Sequence, residues 1–412
     1  MNRQTRHTVL MRPSNSSRLR SPSLTRRHLL AVPALIALGL VGCAPEPQAA
    51  LKPTPRPTPR ADSDPDRDSS PGEAAEPAML LLASLAQSDE VAVIDPSQPE
   101  ADAVRRIRVG ASPWGVGVHT DADGVATGYA ATAEGLAIVD IAAGSRTALV
   151  PYEHPAPRIE QGEYRPGGLG LAVAPDGARV YVAVTSGDGA VLEVIDTANR
   201  RVVGSVPVGL RPFDVLVAPD SSWAATVDHD SFTVTVVNAE TLTATTHEVA
   251  PFGTEGGLAS WEKPHYGAVD ADGTILLPYQ GQVVVRLDPR TGETSTRPSA
   301  ANSHAHGTAL AGKRLLTVGT GAFGNADGVP NLSILPLDGG KEDVVPLDVP
   351  HETVALWRDS AGAEYAAIAG GNTRGEGWDG ITVLALDGHA IRKIPVPGYP
   401  QAVVAFPAPR AT

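Results

Sequence analysis

His265, His306 and His351 occupy one position of a repeated motif, and imidazoles repeated in this way form a pattern suited to binding a metal. The position reads Pro113-Trp114, Pro166-Gly167, Pro212-Phe213, Pro264-His265, Ala305-His306, Pro350-His351 and Pro400-Gln401, each leading into a short apolar run. The copies recur every ~41 to 53 residues, a period that belongs to solenoids and propellers. In a ring of repeats equivalent positions meet around one axis, so the three imidazoles are expected to converge. Zn²⁺ takes three or four nitrogen or oxygen ligands, and Cu²⁺ and Ni²⁺ use the same donors. His304 adds a ring two residues before His306. Glu352, Asp214, Asp228, His229 or a water are candidates for the remaining position. A single histidine at a strand start is more often a cap for a backbone carbonyl, but three in one slot of successive repeats ask for a shared explanation. Such binding is expected to weaken as pH falls through roughly 6.5, where an imidazole gains a proton and loses its free lone pair.

Other chemistry is sparse. Gly319-Thr320-Gly321-Ala322-Phe323-Gly324 has the glycine spacing of a dinucleotide fingerprint but no helical pattern after it, and nothing resembles a nucleophile elbow or a phosphate loop. No catalytic residue is assigned. A metal-bound water could still hydrolyse an ester or lactone, and a non-catalytic adhesion or interaction module is a third reading.

The elements that must position these residues are strands. From Met79 onward, β-rich runs alternate with Gly, Asp, Asn and Pro, as in Arg179-Val-Tyr-Val-Ala-Val, Val191-Leu-Glu-Val-Ile-Asp and Arg201-Val-Val-Gly-Ser-Val. With Gly168-Leu-Gly-Leu-Ala-Val they form one four-stranded antiparallel unit, a propeller blade. Ala174-Pro-Asp-Gly-Ala-Arg-Val-Tyr-Val-Ala, Glu193-Val-Ile-Asp-Thr-Ala-Asn-Arg-Arg-Val-Val and the run from Val208 to Asp220 resemble the YVTN-type β-propeller repeat, most strongly over residues 165–245. The expected fold is an all-β, seven-bladed propeller with a split last blade. Pro400 to Phe406 supplies its inner strand, and Met79 to Ser84, Val91 to Asp95 and Arg105 to Val109 supply the rest. Each histidine slot then lies where the chain enters an inner strand, near the axis. Asp228-His229-Asp230 and the insertions 152–165 and 251–263 belong to the same face.

The stretches Pro264-His265-Tyr266-Gly267-Ala268-Val269, His304-Ala-His306-Gly307-Thr308-Ala309 and His351 also resemble the strand starts of periplasmic β-propeller zinc metallochaperones. That resemblance implies zinc as cargo and the solute-binding protein of an ABC transporter as partner. One departure is the loop from Tyr152 to Tyr164, where a His/Asp-rich segment would be expected and His154 is the one histidine.

The N-terminal region reads as targeting. Residues 1–42 hold an arginine-rich start, the pair Arg26-Arg27 and an apolar run from Leu29 to Leu40, too short to span a bilayer. Leu40-Val41-Gly42-Cys43 looks like a bacterial lipobox, with Cys43 lipidated, and the arginine pair resembles a twin-arginine export signal. Residues 43–77 are a Pro-rich tether and 78–408 the propeller. Removing the leader takes the net charge from −13 to about −20, which argues against nucleic acid as partner. Cys43 is the sole cysteine, so the exported domain has no disulfide and its metal site no thiolate.

Overall fold

Strand Arg179–Ser186 displays the local code of the whole domain. Val180, Val182 and Val184 pack toward one neighbouring blade, while Tyr181 and Ala183 pack toward the other. Successive side chains of a strand point to opposite faces, and here both faces are covered, so the run is apolar throughout. Turn residues punctuate the strands; at Asp176-Gly177 the glycine takes φ of +71°, a conformation costly for residues with a Cβ.

The computed structural model describes residues 78–408 apart from 101, 188 and 372–376, so Cys43, the leader and the tether lie outside the described residues. The described chain forms seven four-stranded antiparallel sheets arranged as a seven-bladed β-propeller. The inner strands of blades one to seven are Val116–Thr120, Gly167–Val173, Pro212–Val217, Ala268–Val269, Ala305–Ala311, Val354–Arg358 and Pro400–Pro407. Blade seven closes the ring as the sequence led one to expect. Pro400–Pro407 pairs antiparallel with Met79–Leu85, Leu81 opposite Ala405 and Leu82 opposite Val404, leaving no open edge at the seam. Among the described residues no helix is long and apolar enough to cross a membrane.

Two backbone features aim side chains at the axis. The inner-strand register breaks between Pro212 and Asp214, between Ala305 and Thr308, and between Pro400 and Val403. Phe213, His306 and Gln401 sit in these bulges, which re-aim a side chain relative to a regular ladder. The second feature is close approach. A Cβ on Gly307 would stand 2.3 Å from the Thr353 Cα, and Gly307 N–H donates to the Glu352 carbonyl at 2.9 Å. Lack of a side chain at Gly307 thus lets blades five and six touch backbone to backbone beside His306. Inner strands of all seven blades line an axial cavity of about 350 Å³.

Candidate metal centre

Four of the slot residues, Trp114, Phe213, His265 and His306, meet around the axis, and they divide it. Trp114, Leu169 and Phe213 form an apolar cluster with Ala86 on one side. On the other, one ring nitrogen from each of His265, His304 and His306 lies within 4.8 Å of its counterparts. Ring centroids are 4.7 Å apart for His265 and His304, 4.9 Å for His265 and His306, and 5.7 Å for His304 and His306. All three are 2% exposed.

His306 is the clearest ligand candidate. Its Nδ1 stands 3.0 Å from Glu352 Oε2 but out of line for a hydrogen bond, and neither ring nitrogen has a hydrogen-bond partner among the described residues. A buried imidazole in that condition forfeits hydration on both nitrogens, a cost that a metal bond offsets. His304 is oriented differently, its Nδ1 hydrogen-bonded to Gln280 Oε1. That bond fixes the tautomer with Nδ1–H as donor, which leaves Nε2 as a lone pair, the usual outer-sphere arrangement of a metal-binding histidine. Gln280 passes the order on by donating to Asn325 Oδ1. Zinc bonds near 2.1 Å set ligand atoms about 3 to 4 Å apart, so the trio fits an ion after closing in by about 1 Å.

His229 stands next to the trio, its ring 4.3 Å from that of His265. Its Nδ1 lies 2.9 Å from Asp230 Oδ1, and Asp230 also takes Lys263 Nζ at 2.7 Å and Arg211 Nη1 at 3.1 Å. Burial alone would raise the Asp230 carboxyl, but the hydrogen bonds from His229 and Lys263 and the attraction of their charges outweigh it and hold it down at about 2. An ionised Asp230 keeps His229 protonated on Nδ1, with Nε2 as its donor atom.

The other sequence candidates are placed elsewhere. The set assembled is His265, His304 and His306, and His351 is not part of it. His351 is wholly buried in its own blade, with Nδ1 2.8 Å from the Val349 carbonyl and Nε2 2.8 Å from Thr382 Oγ1. Burial lowers its pKa to about 4, so it is neutral. Asp214 accepts the backbone N–H groups of Val215 at 2.9 Å and Gly267 at 3.0 Å, stapling blades three and four, and burial raises its carboxyl to about 7. Asp228 is bound by Thr226, Thr233 and Thr235 within its own blade. Glu352 touches His306 as an outer partner and accepts from Gln401 Nε2 at 3.0 Å.

Gln280, Asp230 and Lys263 were not among the sequence candidates, although a signal for the first existed. The residue after each second strand marks an equivalent position in the seven blades: Ala86, Thr132, Gly187, His229, Gln280, Thr320 and Gly370. Aligning these exits would have put Gln280 beside His229. Aromatic residues cover the centre. Phe213 stacks on His265 with ring planes 4° apart, and Phe323 lies 5.0 Å from His304 under Trp261 of the second insertion.

The class defined by fold and site is a seven-bladed β-propeller with a buried histidine cluster at its axial mouth. No family model matches the chain, and none of the curated proteins does. Among solved structures it is similar to a functionally unknown protein from Desulfotomaculum acetoxidans, at 7% identity over 79% of this chain and 98% of that one, with a TM-score of 0.57. It is also similar to hydrazine synthase from Kuenenia stuttgartiensis (19% identity, 66% of this chain and 76% of that, TM-score 0.48) and to the β-propeller domain of Cps50 (Swd1) from Myceliophteria thermophila (12%, 68% and 85%, TM-score 0.48). At these identities the likeness concerns the fold alone.

Proposed function

We propose that this chain is an extracytoplasmic zinc-binding propeller, anchored through lipid on Cys43, that carries its ion to a protein acceptor, the solute-binding protein of an ABC-type zinc transporter. The observation that carries the metal reading is the trio His265, His304 and His306, buried and mutually within 4.8 Å. Thiol-free nitrogen donors backed by Gln280, Glu352 and Asp230 suit Zn²⁺ and do not suit the hard cations Mg²⁺ and Ca²⁺. Here the ion is cargo, and the chain's residues bind it and exclude water. The carrier role and the acceptor rest on the resemblance of the His-containing strand starts to zinc metallochaperones, and the YVTN assignment on the repeats of residues 165–245.

Burial favours a carrier over a hydrolase. A hydrolytic zinc keeps one position open to water and substrate, whereas Phe213 and Phe323 lie against these imidazoles and His229 beside them is 6% exposed. The test is metal analysis of the purified chain after stripping and reloading. A carrier takes up about one Zn²⁺ per chain, gives it up to an acceptor and turns over no ester or lactone. Failure to retain zinc after reloading would overturn the metal reading, and turnover of a lactone would overturn the carrier reading.

A further inference from the structure

Outside the histidine cluster, the most conspicuous polar group is Arg165, a guanidinium 2% exposed. Arginine is almost never so buried without a carboxylate partner. Among the described residues Arg165 has none: Nη1 donates to the Pro166 carbonyl at 2.9 Å, Nη2 to the Gly168 carbonyl at 2.5 Å, and Nε–H has no acceptor. The nearest ring is Trp114, its centroid 5.9 Å from the guanidinium carbon. Carbonyl dipoles compensate a full charge only in part, and burial lowers the guanidinium to about 10.

Arg165 lines a cavity of about 350 Å³ on the insertion-loop face, whose walls include Leu169, Phe213, Leu258 and Tyr164. The acids at this cavity are engaged. Asp230 is bound by Lys263 and Arg211, Glu160 pairs with Arg158, and Glu163 has partners of its own. One buried cation whose Nε–H meets no protein acceptor, at the wall of a cavity lined partly by apolar residues and partly by charged ones that include Arg158 and Arg211, suits an anionic ligand. We infer that this cavity binds a small monocarboxylate, its carboxylate on Arg165 and its short apolar body against Leu169, Phe213 and Leu258. A planar carboxylate matches a guanidinium fork better than chloride does, and the apolar part of the wall, Leu169, Phe213 and Leu258, suits a short hydrocarbon body better than the strongly hydrated sulfate ion. The inference is independent of the metal reading, because the site uses none of the imidazoles.

The experiment uses the full-length, metal-stripped chain, with butyrate as probe, titrated calorimetrically at constant ionic strength. Saturable binding is expected, with sulfate failing to compete. Arg165→Lys, which keeps the charge and loses the fork, should weaken binding at least ~10-fold. Because a change at a buried residue can cost folding, Gly189→Trp provides a second arm. Gly189 lines the cavity, and a Cβ there meets nothing within 4 Å, so the backbone accepts a side chain and an indole has room to enter the cavity. It should abolish the butyrate signal while leaving zinc uptake unchanged. Absence of saturation in the wild-type chain, equal competition by sulfate, or full-strength binding in Gly189→Trp would each overturn the inference.

Discussion

Glu352 Oε2 stands 3.0 Å from His306 Nδ1 and accepts a hydrogen bond of 3.0 Å from Gln401 Nε2. The three residues enter blades five, six and seven, so one carboxylate oxygen ties three consecutive inner strands at the mouth. A buried carboxylate in that place both orients His306 and adds negative charge where a cation would sit.

The two kinds of histidine separate by mutation. His265→Ala, His304→Ala and His306→Ala should each lower zinc affinity by more than about 100-fold, since each removes a proposed ligand. His351→Ala should leave affinity intact and cost on the order of 1 to 3 kcal/mol of stability through its two buried hydrogen bonds. Competition titration with a chelating dye measures the first and urea unfolding the second. Lost zinc affinity in His351→Ala would contradict the assignment.

Outer partners should matter less than ligands but measurably. Gln280→Leu removes the acceptor of His304 Nδ1–H, and Glu352→Gln removes the charge beside His306. Each is expected to weaken zinc binding about 10- to 100-fold. The same titration checks it, and unchanged affinity in both variants would show that the imidazoles need no such support.

His351 makes acid stability readable. Unfolded, it takes up a proton near its ordinary pKa of 6.5; folded, it resists until about 4 because burial disfavours the charged ring. Between these values the unfolded chain binds more protons. Its contribution is therefore whole above 6.5 and declines as pH falls through the window, by up to about 1.4 kcal/mol per pH unit. Asp214 and Asp228, raised by burial to about 7 and about 6, work in the opposite sense. The quantity to measure is thus the difference in unfolding free energy between wild type and His351→Gln from pH 7 to 4. Parallel curves would rule the effect out.

Gly307→Ala tests the close approach of blades five and six. Its Cβ would press on the Thr353 Cα at 2.3 Å and the Glu352 carbonyl oxygen at 2.6 Å, both backbone atoms. An overpacking cost of about 1 to 3 kcal/mol is expected, together with weaker zinc binding because His306 is its neighbour. A chemical-denaturation midpoint equal to that of wild type would show the junction to be pliant.

Cys43→Ser addresses the anchor. The variant should move from the membrane fraction to the soluble extracytoplasmic fraction, read by immunoblot after fractionation. Unchanged partitioning would remove the lipid from the account.

The fold was legible because it is periodic. Seven repeat slots, six of them preceded by proline, gave the blade count, and the lone inner strand at Pro400 gave the closure with Met79. The site was legible as a region and less so as a set of ligands. His306 and His351 share a slot and nearly the same local pattern, yet His306 lies in a bulge that turns it to the axis while His351 folds back onto Val349 and Thr382. The direction of a side chain at a strand entry depends on where the neighbouring strand breaks register, which the slot residues do not encode. Asp214 and Glu352 were legible as nearby acids. Their use as a backbone staple and as an outer partner depended on inter-blade spacing set by Gly267 and Gly307.

The pairing of Pro400–Pro407 with Met79–Leu85 also sets an order of events. The strand that seals the circle is the last in chain order of the twenty-eight among the described residues, and it fills the innermost place of a sheet whose other three strands are the first three of that series. Six blades must wait as an open arc with Met79–Leu85 unpaired on its inner side, a sticky edge that invites intermolecular pairing. A chain cut short before residue 400 leaves that edge open to pairing with another chain.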